Sequence, residues 1–260
     1  MTSPPDQIFD RVALRRHRTR AARRVGRVAP ILQEVAERLL EQLDDAARQF
    51  DTALDVGGRG VVAPMLRARG IATIAGDLSP DMAALNGAPC LAMDEEFLPF
   101  APESFDLVVA NLSLHWVNDL PGALIQLRRC LRPGGLFLAS IPVLPSLTEL
   151  RAALTAAEAA LAGGASPRVS PFPDLRDGAG LLQRAGFAVP VAHAEDIDLA
   201  YADPLGLLAD LRDAGESNAV ALRSRTTPNP ALFAAALAQL AQPDGRVHVT
   251  LRLGLLCGWA

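Results

Sequence analysis

A short apolar run ending in a cluster of glycines does most to limit how this chain folds. Ala53-Leu54-Asp55-Val56 reads as a buried strand, Gly57-Gly58-Arg59-Gly60 as a tight turn, and Val61 to Arg69 as the helix that follows. Glycine lets a backbone bend at positive φ and approach a ligand closely, and the first turn of the next helix offers free amides. Ile71 to Ala75 then reads as a second strand, running into Gly76 and Asp77. Strand, glycine turn, helix and strand make the repeating unit of an open parallel sheet. An acid closing its second strand is placed to accept both hydroxyls of a ribose. The turn lacks the G-x-G-x-x-G spacing of a dinucleotide site, and a glycine-rich turn alone also serves plain packing.

The alternation continues along the chain. Candidate strands are Leu91–Met93, Phe105–Asn111 and Leu136–Pro142, then a long closing pair, Ala188–Leu199 and Val247–Trp259. Candidate helices are Ile31–Phe50, Ser79–Asn86, Leu120–Leu131, Leu147–Ala162 and Leu175–Ala185, with two more at Pro204–Ala214 and Pro230–Leu240. Such a pattern predicts an α/β fold, a mostly parallel sheet with helices on both faces. Half of the 260 residues are hydrophobic, enough for a single domain over 31–260 with a helical insertion at about 200–245. Residues 1–30 precede it as an arm carrying Arg11, Arg15, Arg16, Arg18, Arg20, Arg23, Arg24 and Arg27 above a thin apolar face. Two readings compete for this arm: a solvated helix, or a lid or docking arm that meets an anionic ligand or an acidic partner.

Composition removes several classes of function. A net charge of −4 argues against general nucleic-acid binding. No apolar run approaches the roughly twenty residues that span a membrane, and Met1 to Asp6 lacks a signal-peptide core, so the expectation is a cytoplasmic protein. Cys90, Cys130 and Cys257 stand apart from one another, a pattern with no disulfide framework and no metal site. All 25 basic residues are arginine, which excludes lysine Schiff-base and P-loop chemistry and has the look of a GC-rich bacterial genome. Oligomeric state is not legible.

Three further stretches carry chemistry. Asp94-Glu95-Glu96 follows the third strand, where Asp94 can accept a proton from an adenine amino group, with Phe97, Leu98 and Phe100 beside it as a wall. The alternative is a loop that packs Phe100 into the core. Asn111, Ser113 and His115 emerge where the Phe105 strand ends, the edge at which open α/β sheets bind ligands. His115 is the candidate catalytic base and Trp116 a substrate-side candidate; a structural hydrogen-bonding pair is the plainer reading. Arg132-Pro133-Gly134-Gly135 reads as a turn between helix and strand.

Taken in order, the glycine turn, Asp77, Asp94-Glu95-Glu96 with Leu98-Pro99-Phe100, and Phe105-Asp106 through Pro133-Gly134-Gly135 resemble a class I S-adenosylmethionine (SAM) methyltransferase. Finer strings narrow the resemblance to the family of mitochondrial complex I assembly factor 5 and its bacterial relatives. They are Ile8-Phe9-Asp10-Arg11, Ser113 through Pro121, Thr148-Glu149-Leu150-Arg151, Gly215-Glu216-Ser217-Asn218 and Gly258-Trp259. The resemblance implies a Rossmann-like fold with seven strands and an antiparallel last strand, SAM or S-adenosylhomocysteine as cofactor, and arginine hydroxylation on a subunit of respiratory complex I. By position it assigns Asp55, Gly57, Gly58 and Gly60 to the cofactor loop, Asp77 and Leu78 to the ribose, Asp94 and Glu95 to the adenine, and Asn111 to the same edge. The malonyl-acyl-carrier-protein O-methyltransferases are more distant relatives. That second activity, on a small molecule or a carrier thioester, would draw on Arg151 and Arg223 as cationic substrate contacts.

One departure stands out. The family loop has a residue between its first two glycines that this chain lacks, shortening the turn by up to about 3.5 Å. A shorter loop is expected to pull amides away from the methionine part of SAM. This leaves a third reading, an assembly scaffold that retains the fold with an impaired loop.

Overall fold

The computed structural model describes residues 7–46, 48–243 and 245–260. The opening Met1 to Asp6 lies outside them. Seven strands make one sheet in the order β3-β2-β1-β4-β5-β7-β6. They are β1 Thr52–Val56, β2 Ala72–Asp77, β3 Cys90–Ala92, β4 Phe105–Asn111, β5 Leu131–Pro142, β6 Ala188–Tyr201 and β7 Val247–Trp259. The first five run parallel, and β7 lies antiparallel between β5 and β6. All seven residues of β4 are buried, as expected of a nearly continuous apolar run covered on both faces.

Helices cover both faces: α1 Arg11–Ala21, α2 Ala29–Asp44, α3 Val62–Ala68, α4 Pro80–Ala84, α5 Leu120–Cys130, α6 Thr148–Ala162, α7 Gly178–Arg184, α8 Pro204–Asp213 and α9 Pro230–Leu240. Against one face, α2 lays Leu32, Val35, Ala36, Leu39, Leu40 and Leu43 at helical spacing. The other face takes Ala123, Leu124 and Leu127 of α5 and Leu182 of α7. A separate cluster, from Leu150 and Leu154 of α6 through Leu207 of α8 to Leu237 of α9, sits over the far ends of β6 and β7.

Element boundaries depart from the sequence pattern where caps act. Ser79 stays outside α4 and accepts from the Met82 amide, so the helix begins at Pro80. Leu175–Ala185 divides into a 3₁₀ turn at Leu175–Asp177 and the helix α7. The Pro133-Gly134-Gly135 turn is absorbed into the start of β5, with a register shift opposite Phe105 and Leu107. The N-terminal arm does not stand apart from the domain. Phe9 bridges Val220, the Asp10 amide donates to the Ala219 carbonyl, and Phe9, Ala13, Leu14, Trp116 and Ala219 form one buried cluster.

Candidate active site: a cofactor cleft and an adjoining cavity

The glycine turn leaves β1 at the carboxyl edge of the sheet and folds back on β2. The Gly57 and Gly58 amides both donate to the Gly76 carbonyl, at 2.8 and 3.1 Å. Gly57 has φ +71°, and a Cβ there would lie 2.2 Å from the Cβ of Ser113, so no other residue fits. Asp55 is buried beneath the turn and accepts from the Ala63 amide at 3.0 Å, which fixes the first turn of α3. Burial lifts its carboxyl to about 7, and the neighbouring Asp77 adds to that. Asn86 closes the far side, accepting from the Gly60 amide and donating to the Gly58 carbonyl.

The three other acids assigned to the cofactor all converge on this edge, and α1 covers them. Arg18 pairs with Asp77 at 2.9 Å, with side-chain exposures of 1% and 0%. The second Asp77 oxygen accepts from the Ser79 amide at 2.7 Å. Two helical turns earlier, Arg11 pairs with Asp94 at 2.5 Å and also with Glu95. Burial raises the Asp77 carboxyl to about 6 even though Arg18 pulls it down. The solvated-helix reading of the arm is therefore corrected at these two positions: Arg11 and Arg18 face inward, and α1 covers the acids.

Beside this cleft, Glu216 gathers three donors from distant parts of the chain. His115 Nε2 lies at 2.8 Å, Trp116 Nε1 at 2.5 Å and an Arg59 Nη at 2.5 Å. Burial would raise the Glu216 carboxyl, but His115 and Arg59 hold it well below the usual carboxylate range. The other ring nitrogen of His115, Nδ1, is buried and has no partner. Trp116 also packs edge-on against Phe9 at 5.1 Å, beneath the start of α1. Beyond this group opens a cavity of about 410 Å³ between α2, α6, α8, α9 and the far ends of β6 and β7.

Other candidates lie elsewhere or hold structure. Asn111 donates to the Leu32 carbonyl and accepts from Ser140, which ties β4 to α2 and β5. Leu78 packs against the cluster of Phe9 and Trp116. Arg151 donates to the carbonyls of Val169 and Ser170, and Arg223 pairs with Asp10 at 2.9 Å; neither lines the cavity. Phe97 is exposed, while Phe100 packs edge-on against Phe105 in the core. Among the described residues, no group of three or more His, Cys, Asp or Glu side chains is arranged to hold a metal ion.

Carboxylates at Asp77, Asp94 and Glu95 suit the hydroxyls and amine of a nucleoside. The closed arrangement does not fit one. Each acid is engaged, the Gly57 and Gly58 amides are turned onto β2 and that of Gly60 onto Asn86, and the space beneath the turn, between Asp55, Val61 and Asn111, is about 10 Å³, the room of a single water.

Residues 54–139 match the methyltransferase domain family. Over 268 residues the chain is 36% identical to the mitochondrial arginine-hydroxylase NDUFAF5 of Mus musculus, covering 97% of this chain and 77% of that protein. It is also 36% identical to a malonyl-acyl-carrier-protein O-methyltransferase of Halorhodospira halophila, covering 94% of this chain and 86% of that one. The crystal structure of the YcgJ protein of Bacillus subtilis shares the fold, with a TM-score of 0.59 at 14% identity over 85% of this chain and 97% of that chain.

Proposed function

The chain belongs to the class I SAM-dependent methyltransferase family, in the branch of the NDUFAF5 arginine hydroxylases, and from that premise we propose that it modifies an arginine of a protein substrate. The observation that carries this reading is the convergence of Asp77, Asp94, Glu95 and the glycine turn at one sheet edge, under a helix that offers a cationic surface. On α1 and just beyond it, Arg15, Arg16, Arg20 and Arg23 are exposed on the side away from the cleft. That face suits an acidic surface on a protein partner, and a subunit of respiratory complex I in a bacterial cytoplasm is the partner the resemblance points to.

A second reading is O-methyl transfer to a small molecule or carrier-bound acyl group. The apolar cavity beside His115 favours it, since a small substrate has a place to lodge there. The test is calorimetric titration with S-adenosylhomocysteine, of the protein and of Asp77→Asn. Binding that weakens sharply in the variant supports the cofactor assignment; equal affinity sinks it. No binding to either protein moves the weight to a scaffold. Mass analysis of a candidate protein substrate then separates the activities, one added oxygen meaning hydroxylation and one added methylene unit meaning methylation.

A further inference from the structure

The cavity next to the cleft has a chemistry of its own. Its walls are hydrocarbon, with Leu150, Leu154, Phe172, Leu208, Leu211 and Phe233 contributing from four different segments. A volume of about 410 Å³ falls within the usual range for small-molecule sites, roughly 300–1,000 Å³.

The charged side chains that reach it are already matched within the chain. Arg59 is paired with Glu216 at 2.5 Å, and His115 leans on the same carboxylate. Arg168 is held by Glu158, with its Nε at 3.0 Å. Arg212 lies 3.5 Å from Asp213, and Asp210 is hydrogen-bonded to Tyr201. An ion entering among the apolar walls would lose water there, and the charges of Arg59, Arg168 and Asp210 are already matched, which is unfavourable. A neutral molecule meets no such penalty. Among the lining residues, His115 Nδ1, Ser170 Oγ and Arg59 Nε are buried and unpartnered, enough hydrogen-bonding capacity for one head group.

We propose that this cavity binds a neutral, hydrocarbon-rich small molecule, a chain or ring with a single hydrogen-bonding group, and admits neither a guanidinium nor a carboxylate. This goes beyond the arginine reading. If both hold, the arginine reacts outside the cavity, and the guest is a separate ligand.

The test uses the full chain without cofactor, so its outcome is independent of the S-adenosylhomocysteine titration. The neutral dye N-phenylnaphthylamine reports occupancy by fluorescence. Decanol, decanoate and decylguanidinium, alike in chain length, then compete for its place. Decanol is expected to displace the dye at a concentration at least about tenfold below either ion. Leu208→Trp and Leu150→Trp, which fill the space, are expected to remove dye binding, while Leu208→Met keeps it and controls for a disturbed fold. Displacement by decylguanidinium or decanoate as readily as by decanol overturns the proposal. So does absence of dye binding to the unaltered protein, or dye binding that survives both tryptophan substitutions.

Discussion

The cleft and the cavity share the carboxyl edge of one sheet, yet the chain treats them in opposite ways. In the cleft, polar groups have been met by other polar groups of the same chain. Asp77 takes Arg18, Asp94 and Glu95 take Arg11, and the loop amides take the Gly76 carbonyl. In the cavity, apolar walls on α6, α8 and α9 are held apart by their own packing, and space of about 410 Å³ stays between them. A buried charge draws a partner across the chain because leaving it alone is costly, and a long arginine on a helix can reach it. A hydrocarbon wall closes only if whole helices move, and the packed cluster that anchors them resists that. Specific ligand recognition is thus guarded at the first site by competition and at the second by shape.

The sharpest break of this contrast is Arg18→Ala. It leaves Asp77 buried without its counter-charge, and the loss of stability is expected to be about 3 kcal/mol at pH 8 in urea denaturation. The same variant is expected to bind S-adenosylhomocysteine more tightly than the unaltered protein, because the bound competitor is gone. Unchanged affinity would show that Arg18 does not guard the acid. On the cavity side, Leu208→Ala is expected to cost only about 1 kcal/mol, against about 3 kcal/mol for the fully buried Leu54→Ala, because its side chain already borders open space. Similar losses at the two positions would mean that the cavity collapses in solution.

The smallest effect is on pH. The Asp77 carboxyl sits at about 6 in the folded chain against an ordinary 3.8, so the folded state holds its proton over that interval. Its contribution is fully present below about 4 and is lost as pH rises through about 6. Relative to Asp77→Asn, the unaltered protein is therefore expected to gain stability as pH falls from about 7 to about 4. The opposite slope would mean that the Arg18 pairing outweighs burial.

The sheet and its helices were legible in the sequence because they follow local periodicity. Phe105 to Asn111 is almost wholly apolar and Ile31 to Leu43 repeats every three or four residues, so each announces its environment. The acids were legible too, since the end of a strand fixes where Asp77 and Asp94 stand. What covers them was harder to see. An arginine-rich segment looks solvated, and inward arginines differ from outward ones only by position. A signal was present: Arg11, Leu14, Arg18 and Ala21 fall on one helical face, so two of the arginines belong to the apolar stripe. Glu216 gave no such sign. Its partners His115 and Trp116 lie about a hundred residues away, and periodicity says nothing about contacts at that distance.

The seat of α1 has a consequence for the order in which the molecule is made. Asp77, Asp94 and Asn118 hold it from the middle of the chain, and Ala219 from near the end. A chain emerging from the ribosome begins with its N-terminus, so this helix waits through most of synthesis for its last neighbours to exist. β1, β2 and β4 can pair long before Ala219 and Ala221 are available to fasten the segment at Ile8 to Asp10. This helix is made well before the residues that fasten it, and its contacts are complete only once Ala219 and Ala221 exist.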